Sequence, residues 1–319
     1  MTNPHQAVLC REIVELVMNP ALNERAPFRK ETDHPQAVFV DATFGRGGHS
    51  RALLDELSAD ARLIAIDRDL EAVAVARELA SADPRVTACH GRFSEISGIL
   101  DELDLVSVHG VILDLGVSSP QLGEARRGFS FRTDGPLDMR MDQSAGLTAA
   151  KWVNEAEESE IRGVLKRLGE ERHARRIARA IVLARPLTTT RELAEVVSRA
   201  QPRGTPGKHD ATRTFQAIRM RINDELEELE QGLSAAFSCL TIAGRLAVIS
   251  FHSLEDRKVK RFIRSLSQAP PLPRRLPVRD SELPVPGRRV AGPIRATASE
   301  TRDNPRARSA MLRVVERVT

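Results

Sequence analysis

Three aspartates in the first 120 residues of the chain each follow a short apolar run that is typical of a buried strand. They are Asp41, Asp67 and Asp114. In a parallel sheet, residues that end the strands lie at the carboxyl edge, where such sheets bind their ligands. Phe93 follows another apolar run, at 86–90, and is expected at the same edge. The sequence therefore predicts a ligand site with three carboxylates and one aromatic ring.

The segment after Asp41 is rich in glycine and leads into a helical pattern at 50–57. Glycine is needed where the backbone takes a positive φ or approaches a ligand closely. A strand, a glycine turn and a helix in this order form the nucleotide site of many α/β sheets. Asp67 follows the turn by about 20 residues, where a second strand places a carboxylate beside a ribose. The turn glycines are Gly45, Gly47 and Gly48.

Two ligands fit such a turn, a dinucleotide and S-adenosylmethionine. A pyrophosphate favours an uncluttered turn at a helix N-terminus. Here Asp41 opens the turn, and Arg46 and His49 crowd it. An acid at this place suits a cationic ligand with an amino-acid tail better than a diphosphate. The residues therefore favour S-adenosylmethionine.

Length and composition indicate a globular protein. The chain has 319 residues, of which 41% are hydrophobic and 29% charged. No apolar run approaches the roughly 20 residues of a membrane span, so we expect no membrane association. The first ten residues show no secretory signal, and three distant cysteines indicate a reducing compartment, so we expect a cytoplasmic location. Because His and Cys residues show no metal-ligand spacing, we expect no catalytic metal.

Basic residues are concentrated in two places, although the net charge is only +4. Four arginines lie within 172–179, and eleven lie in the last fifty residues beside five acids. Such clusters attract polyanions such as RNA, but they are also compatible with an ordinary solvated surface. The chain has no tyrosine and one tryptophan, so base stacking would have to use phenylalanine, histidine or arginine.

The order of elements divides the chain into three segments. Strand and helix patterns alternate over 1–125 and again over 236–319, which predicts an α/β fold with a parallel, doubly wound sheet. Only helical patterns occupy 126–235, and the last of them is one long helix at 210–240. This block is predicted to be an inserted helical domain. The segment 267–308, rich in proline and arginine, is predicted to be a loop.

Seven motifs resemble those of one known family, the bacterial 16S rRNA cytosine-N4 methyltransferases, also called the MraW family. The resemblance covers the chain from end to end, and only the proline-rich tract at 267–300 has no counterpart. The motifs lie at Thr43–Ser50, Asp114–Gln121, Gly135–Asp142, Gly169–Arg172, Thr212–Ala217, Ser250–Arg257 and Asn304–Ser309.

This resemblance implies a class I (Rossmann-like) methyltransferase sheet with an inserted all-helical substrate-recognition domain. The implied reaction transfers a methyl group from S-adenosylmethionine to N4 of a decoding-centre cytidine in 16S rRNA, within the 30S subunit or as naked RNA. The family's cofactor contacts fall here on Gly47, Gly48, His49, Asp67, Phe93, Asp114 and Gln121.

The reaction would need a group that accepts hydrogen from the amine, because N4 of cytosine is conjugated with its ring. Asp114 is our candidate for this catalytic acceptor, and its alternative role is to hold the cofactor. The segment after it, 118–121, lacks the aromatic residue that DNA amino-methyltransferases carry there, so the base must be held differently. His252 and Glu255 could do acid–base work, but their neighbours also read as a helix start.

Several assignments stay open at this point. Arginines at 175, 176, 213, 219 and 221 could contact RNA phosphates, or they could pair with the glutamates at 225, 227 and 228. A nucleotide-dependent oxidoreductase and a non-catalytic RNA-binding assembly factor remain as alternative functions. The sequence does not give the oligomeric state.

Overall fold

The computed structural model describes residues 7–18, 37–201, 210–268 and 284–319. Predictions for 1–6, 19–36, 202–209 and 269–283 lie outside the described residues. Contacts divide the chain into two compact units, one formed by Met1–Gly116 with Glu227–Thr319 and the other by Val117–Leu226. The predicted inserted domain at 126–235 overlaps the second unit, and its role in substrate recognition stays a proposal.

The first unit contains a seven-stranded sheet in the described part of the chain, with the order β3-β2-β1-β4-β5-β7-β6. This confirms the predicted α/β class. The strands are β1 (Val38–Asp41), β2 (Arg62–Asp67), β3 (Val86–His90), β4 (Val108–Asp114), β5 (Leu240–Ser250), β6 (Gly287–Arg295) and β7 (Met311–Arg317).

Helices cover both faces of this sheet, as expected for a doubly wound fold. One apolar layer joins it to the helices α1 (Cys10–Met18), α2 (Gly48–Leu54) and α3 (Leu70–Ala82). The other layer joins it to α4 (Ile96–Glu102), α11 (Glu225–Ser238) and α12 (Ser253–Ser267). None of the described helices is long and apolar enough to cross a membrane.

The second unit is helical and has its own apolar core around Trp152, Ile177 and Phe215. Its helices are α5 (Ser119–Gly123), α6 (Ala149–Glu155), α7 (Glu158–Leu168), α8 (Ala174–Leu183), α9 (Thr190–Ala200) and α10 (Thr212–Ile222). A capping box starts α9, because Thr189 and Glu192 each accept from the other's backbone N–H.

The helix predicted over 210–240 is interrupted between α10 and α11. The Asn223 side chain donates to the carbonyl of Met139 at 2.8 Å and accepts from the N–H of Met141 at 2.8 Å. Asp224 then takes a φ of 48°, which a helix does not accommodate. A buried tertiary contact therefore ends the helix where the periodicity alone predicts that it continues.

The prediction for the end of the chain was wrong in two respects. The strands β7 and β6 run antiparallel to their neighbours, so the sheet is parallel only from β3 to β5. In addition, the segment predicted as loop contains β6 and a short helix, α13 (Ala298–Asp303). Strand β6 contains Pro293, is half exposed and pairs only with β7, with two register shifts. Such an edge strand lacks the apolar alternation by which strands are predicted.

Candidate functional site

The sheet register brings the three aspartates to one face of the sheet at its carboxyl edge. Asp41 pairs with Ala65 of β2 and Ile112 of β4. Asp67 and Asp114 lie two residues beyond those partners on the neighbouring strands. Because side chains alternate between faces, all three carboxylates point to the same side of the sheet. The prediction of their position at the strand ends is therefore confirmed.

Asp41 is fully buried and anchors the glycine turn. Its carboxylate accepts from the hydroxyl of Ser50 at 2.7 Å and from the N–H of Thr43 at 3.3 Å. Burial raises the pKa of Asp41, while His49 and these hydrogen bonds lower it. The acid therefore ties the end of β1 to the first turn of α2, beneath the glycine turn.

Asp67 joins the end of β2 to the same turn. One carboxylate oxygen accepts from the N–H of Gly45 at 2.7 Å, and the other accepts from the N–H of Asp69 at 2.8 Å. Each oxygen keeps a second lone pair for a ligand hydroxyl. Burial raises the pKa of Asp67 to about 6, while the two backbone hydrogen bonds lower it. The neighbouring Asp69 caps α3 and accepts from the N–H of Glu71.

Asp114 is held at the end of β4 by the turn and faces His49. Its N–H donates to the hydroxyl oxygen of Thr43 at 2.6 Å. Its Oδ2 lies 3.7 Å from Nδ1 of His49, whose Nε2 is 2.9 Å from the carbonyl oxygen of Val8. Since a carbonyl only accepts, that nitrogen carries the proton. His49 is thus a buried side chain that links α2 to the segment before α1.

One oxygen of Asp114, Oδ1, is buried and has no hydrogen-bond partner among the described residues. Burial raises the pKa of Asp114 to about 6, the charge of His49 lowers it, and Asp41 and Glu255 raise it further. A buried acceptor without a partner is costly unless a ligand donor satisfies it. Asp114 therefore fits a cationic or amine-bearing ligand.

The predicted glycine positions differ in what they require. Gly47 has a φ of 74°, and a Cβ there would lie 2.6 Å from the ring of Phe44. Gly48 has an ordinary backbone, but a Cβ there would lie 2.7 Å from that of Ala7. A side chain is thus disfavoured at Gly47 by the backbone conformation and at Gly48 by packing. Without side chains, the turn can present its backbone to a ligand.

Phe93 follows β3 and is supported by α11. A Cβ at Gly232 would lie 2.1 Å from the Phe93 ring, so the ring packs directly on the helix backbone. Next to it, the N–H of Ser94 donates to the buried carboxylate of Glu228 at 3.0 Å. Nothing in the sequence linked Gly232 or Glu228 to Phe93, because they lie on another element, more than a hundred residues along the chain.

Gln121 has a clear structural role in the second unit. It forms a capping box with Ser118, whose hydroxyl accepts from the N–H of Gln121 while the Gln121 side chain accepts from the N–H of Ser118. The side chain is buried. The helix α5 that it caps follows directly after the loop from Asp114, so its proposed cofactor contact stays a prediction.

His252 and Glu255 are explained by the start of α12. Glu255 accepts from the N–H groups of Phe251 and His252, and its own N–H donates to Nδ1 of His252. His252 and Glu255 together form the capping box of this helix. It also keeps a buried negative charge close enough to raise the pKa of Asp114.

The arginines proposed for RNA contact fall into two groups. Arg219 pairs with Glu225 through two hydrogen bonds of 2.7 Å, and Arg221 pairs with Asp224 at 3.2 Å. Arg175 and Arg176 are exposed and have no ion pair or hydrogen bond among the described residues. Ion pairing thus explains the arginines at the end of α10 but not those of α8.

The sequence matches the model of one protein family, described as the MraW methylase family, over residues 2–318. The match covers both units and every site residue named above. The glycine turn alone was also compatible with a nucleotide-dependent oxidoreductase. Membership of a methylase family argues against that alternative.

The solved structures to which this chain is similar include three that align with most of it. An rRNA methylase from Streptococcus thermophilus is 9% identical, with a TM-score of 0.37 and 89% of each chain covered. NSun6 from Pyrococcus horikoshii with SFG is 12% identical, with a TM-score of 0.39, 98% of this chain and 53% of that chain covered. A SAM-dependent O-methyltransferase from Thermotoga maritima is 10% identical, with a TM-score of 0.36, 89% of this chain and 60% of that chain covered. At these values the likeness carries no argument about the site.

Proposed function

The chain belongs to the MraW methylase family, and from that premise we propose that it methylates N4 of a decoding-centre cytidine in 16S rRNA. Its methyl donor is S-adenosylmethionine, and its sheet is the class I methyltransferase sheet that the motifs implied. The family supports rRNA methylation in general. Our proposal adds that the methylated base is cytidine, that the methyl group goes to N4 and that the nucleotide lies in the decoding centre. We also propose that the enzyme acts in the cytoplasm on the 30S subunit or its RNA.

The observation that carries the proposal is the unsatisfied hydrogen-bonding capacity of Asp114. It is a carboxylate at the end of β4, beside the glycine turn, with one buried oxygen that no described group satisfies. An amine substrate needs an acceptor of this kind, since a hydrogen bond from N4 localises its lone pair for attack. The pKa of about 6 suits the acceptance of a proton near neutral pH.

We assign the remaining groups of the first unit to the cofactor. The backbone at Gly47 and Gly48 and the buried His49 form the turn against which it would lie. Asp67 would accept from the ribose hydroxyls with its remaining lone pairs, and Phe93 would contact the adenine. S-adenosylmethionine supplies an electrophilic methyl group and two positive charges, which the neighbouring carboxylates stabilise.

The chemistry of this chain's own residues then consists of positioning and one proton transfer. Thr43 holds the backbone of Asp114 through the 2.6 Å hydrogen bond, which fixes the acceptor relative to the turn. Alignment of amine and methyl group supplies much of the rate. Asp114 would accept the proton that N4 loses as the methyl group passes from sulfur to N4 and the S–C bond electrons stay on the sulfur. His49, 3.7 Å away, faces the carboxylate on its other oxygen.

The direct test uses isotope-labelled S-adenosylmethionine with 30S subunits and, separately, naked 16S rRNA, both from cells that lack this protein. Nuclease digestion and mass spectrometry then locate the new methyl group. We expect N4-methylcytidine at one position, and the better substrate shows when during assembly the enzyme acts. Cofactor binding without transfer to either RNA would overturn the rRNA assignment and direct attention to DNA or protein amines.

A further inference from the structure

Two helices of the second unit that pack on each other, α7 and α8, carry an unbalanced set of cations. Between residues 162 and 179 the chain has seven Lys or Arg and only two acids. Six of these cations lie on the helices and are exposed, and together they are here called the α7–α8 basic surface. They are Arg162, Lys166, Arg167, Arg175, Arg176 and Arg179.

Other arginines of the same unit have structural partners. Arg140 pairs with Asp138 at 2.8 Å, and Arg219 pairs with Glu225 at 2.7 Å. Arg185 donates to the carbonyl of Val153 at 2.7 Å. No member of the α7–α8 basic surface has an ion pair or hydrogen bond to another described residue. None of them therefore stabilises the unit through a hydrogen bond or an ion pair to a described residue.

The placement of these charges also opposes the helices that carry them. Arg175 and Arg176 lie in the first turn of α8, where the positive end of the macrodipole disfavours cations. Arg175 and Arg179 are an i, i+4 pair of like charge, as are Arg162 and Lys166, and each such pair destabilises its helix slightly. Only the cations in the last turn of α7 are favourably placed. A surface that is unfavourable in the isolated protein needs an anionic partner.

We propose that the α7–α8 basic surface binds phosphates of the rRNA substrate. This rests on the proposed function, because the methyltransferase family alone does not give the partner. Five of the six cations are arginine, whose planar guanidinium matches the oxygens of a phosphate in a bidentate way. RNA offers a regular series of phosphates, so several weak, exposed contacts add up along one strand.

The test compares two double variants of the full-length protein. R175A/R176A removes two charges of the basic surface, and R191A/R199A removes two paired charges from the neighbouring helix α9. Arg191 and Arg199 are 67% and 77% exposed and pair with Asp134 and Glu195. Both variants lose the same net charge from the same unit, so the control separates a specific surface from overall charge.

Binding of labelled 16S rRNA is measured without S-adenosylmethionine over a series of salt concentrations. We expect R175A/R176A to weaken RNA binding about tenfold or more. The plot of the logarithm of the association constant against the logarithm of the salt concentration should become less steep by about 1–2. R191A/R199A should stay within about twofold of wild type, since its arginines are already paired with acids. The melting temperature of R175A/R176A should equal or exceed that of wild type, because the removed charges oppose the helix.

Equal loss in the two double variants, or an unchanged salt slope in R175A/R176A, would overturn the proposal. Arg179→Ala, in the middle of α8, is a second variant that should act in the same direction with about half the change in slope. Because the readout is RNA binding without cofactor, failure to find N4-methylcytidine would leave this result standing. Conversely, loss of this surface would leave cofactor binding at wild-type affinity.

Discussion

Asp41 is buried and Asp67 and Asp114 are partly buried in the first unit, whereas the cations of the α7–α8 basic surface are exposed on the second. The acids are fixed by hydrogen bonds to the turn around them, and burial raises the pKa of each. The cations have no described partner, and no single geometry is imposed on them.

This contrast separates two ways of using charge. A buried charge costs desolvation energy in the folded protein, but it acts at close range and in one geometry on a ligand that replaces the lost water. An exposed charge costs little, is screened by salt and has a small effect by itself. We therefore expect single substitutions at the strand ends to have large effects, and single substitutions on the helices to have small effects that grow when they are combined.

Asp114→Asn should give the largest effect. The asparagine keeps the shape and one acceptor oxygen but accepts no proton, so kcat should fall about 10²–10⁴-fold. S-adenosylmethionine should bind within about tenfold of wild type, since the change removes less than the whole interaction. Single-turnover assays and calorimetric titration measure the two quantities, with Asp101→Asn on the exposed face of α4 as control. Unchanged kcat with lost cofactor affinity would leave Asp114 only a cofactor-binding role.

Gly47→Ala should come next, through the cofactor turn. At a φ of 74° and 2.6 Å from the Phe44 ring, a methyl group forces the turn to move. Strain of this kind costs about 1–3 kcal/mol, and we expect cofactor affinity to fall about 10- to 100-fold. Gly98→Ala is the matched control, because Gly98 lies in α4 with open space around its Cβ position. Full cofactor affinity in Gly47→Ala would show that the turn does not bind the cofactor.

Gly232→Ala should have a smaller effect on the same ligand. Its methyl group would meet the Phe93 ring at 2.1 Å and displace it. If Phe93 contacts the adenine, cofactor affinity should fall about tenfold, within the usual range for a base on an aromatic ring. The control is Gly163→Ala in α7, where nothing lies within 4 Å. Equal affinities in both variants would remove Phe93 from the site.

Lowering the pH should reduce cofactor affinity by a factor similar to, or smaller than, that expected for Gly232→Ala. Burial raises the pKa of Asp67 and of Asp114 to about 6, so both are ionised at pH 7.5 and mostly protonated at pH 5. A cationic ligand binds the ionised form, and affinity should fall about tenfold per carboxylate over this interval. Calorimetry in buffers of different ionisation enthalpy also counts the protons released on binding below pH 6. A constant affinity from pH 7.5 to 5 would contradict the assigned carboxylates.

Asp67 and Asp114 should give folding stability the opposite pH dependence from cofactor binding. In the folded protein without ligand their pKa lies above the unfolded value of 3.8, so folding favours their protonated form. Their contribution to the free energy of unfolding is highest below about pH 4 and declines as pH rises through 6. Cofactor should therefore raise the melting temperature more at pH 7.5 than at pH 5.

Arg219→Ala should have the smallest effect on substrate binding. Its guanidinium is already bound by Glu225, so RNA affinity should stay within about twofold of wild type. Stability should fall by about 1–3 kcal/mol, because Glu225 is left largely buried without its partner. Binding and thermal unfolding measured on one preparation distinguish the two effects. A large loss of RNA affinity with unchanged stability would move the RNA surface to α10.

Local patterns in the sequence were sufficient for the elements that place the acids. Strand β3 has the predicted limits, Val86–His90, and Asp41, Asp67 and Asp114 end their strands as predicted. These strands are buried apolar runs, and a parallel sheet brings their carboxyl ends together whatever the connections between them. The family match over 2–318 confirms the family that the motifs resembled.

Features that depend on distant residues could not be predicted. Asn223 ends α10 by bonding to the backbone of Met139 and Met141, more than eighty residues earlier. Glu228 holds the loop of Phe93 from another element. The choice between ion pairing and RNA contact also needed the partners of each arginine, which spacing along the chain does not give.

One measurement tests the division between buried acids and exposed cations most directly. The single-turnover rate of methyl transfer is recorded against 16S rRNA concentration, at saturating S-adenosylmethionine, for wild type, Asp114→Asn and R175A/R176A. We predict that Asp114→Asn lowers the plateau of this curve by at least about 100-fold with little change in its midpoint. R175A/R176A should shift the midpoint about tenfold and keep the plateau. If both variants changed the same parameter, the buried acid and the exposed arginines would not have separate roles, and the account would be wrong.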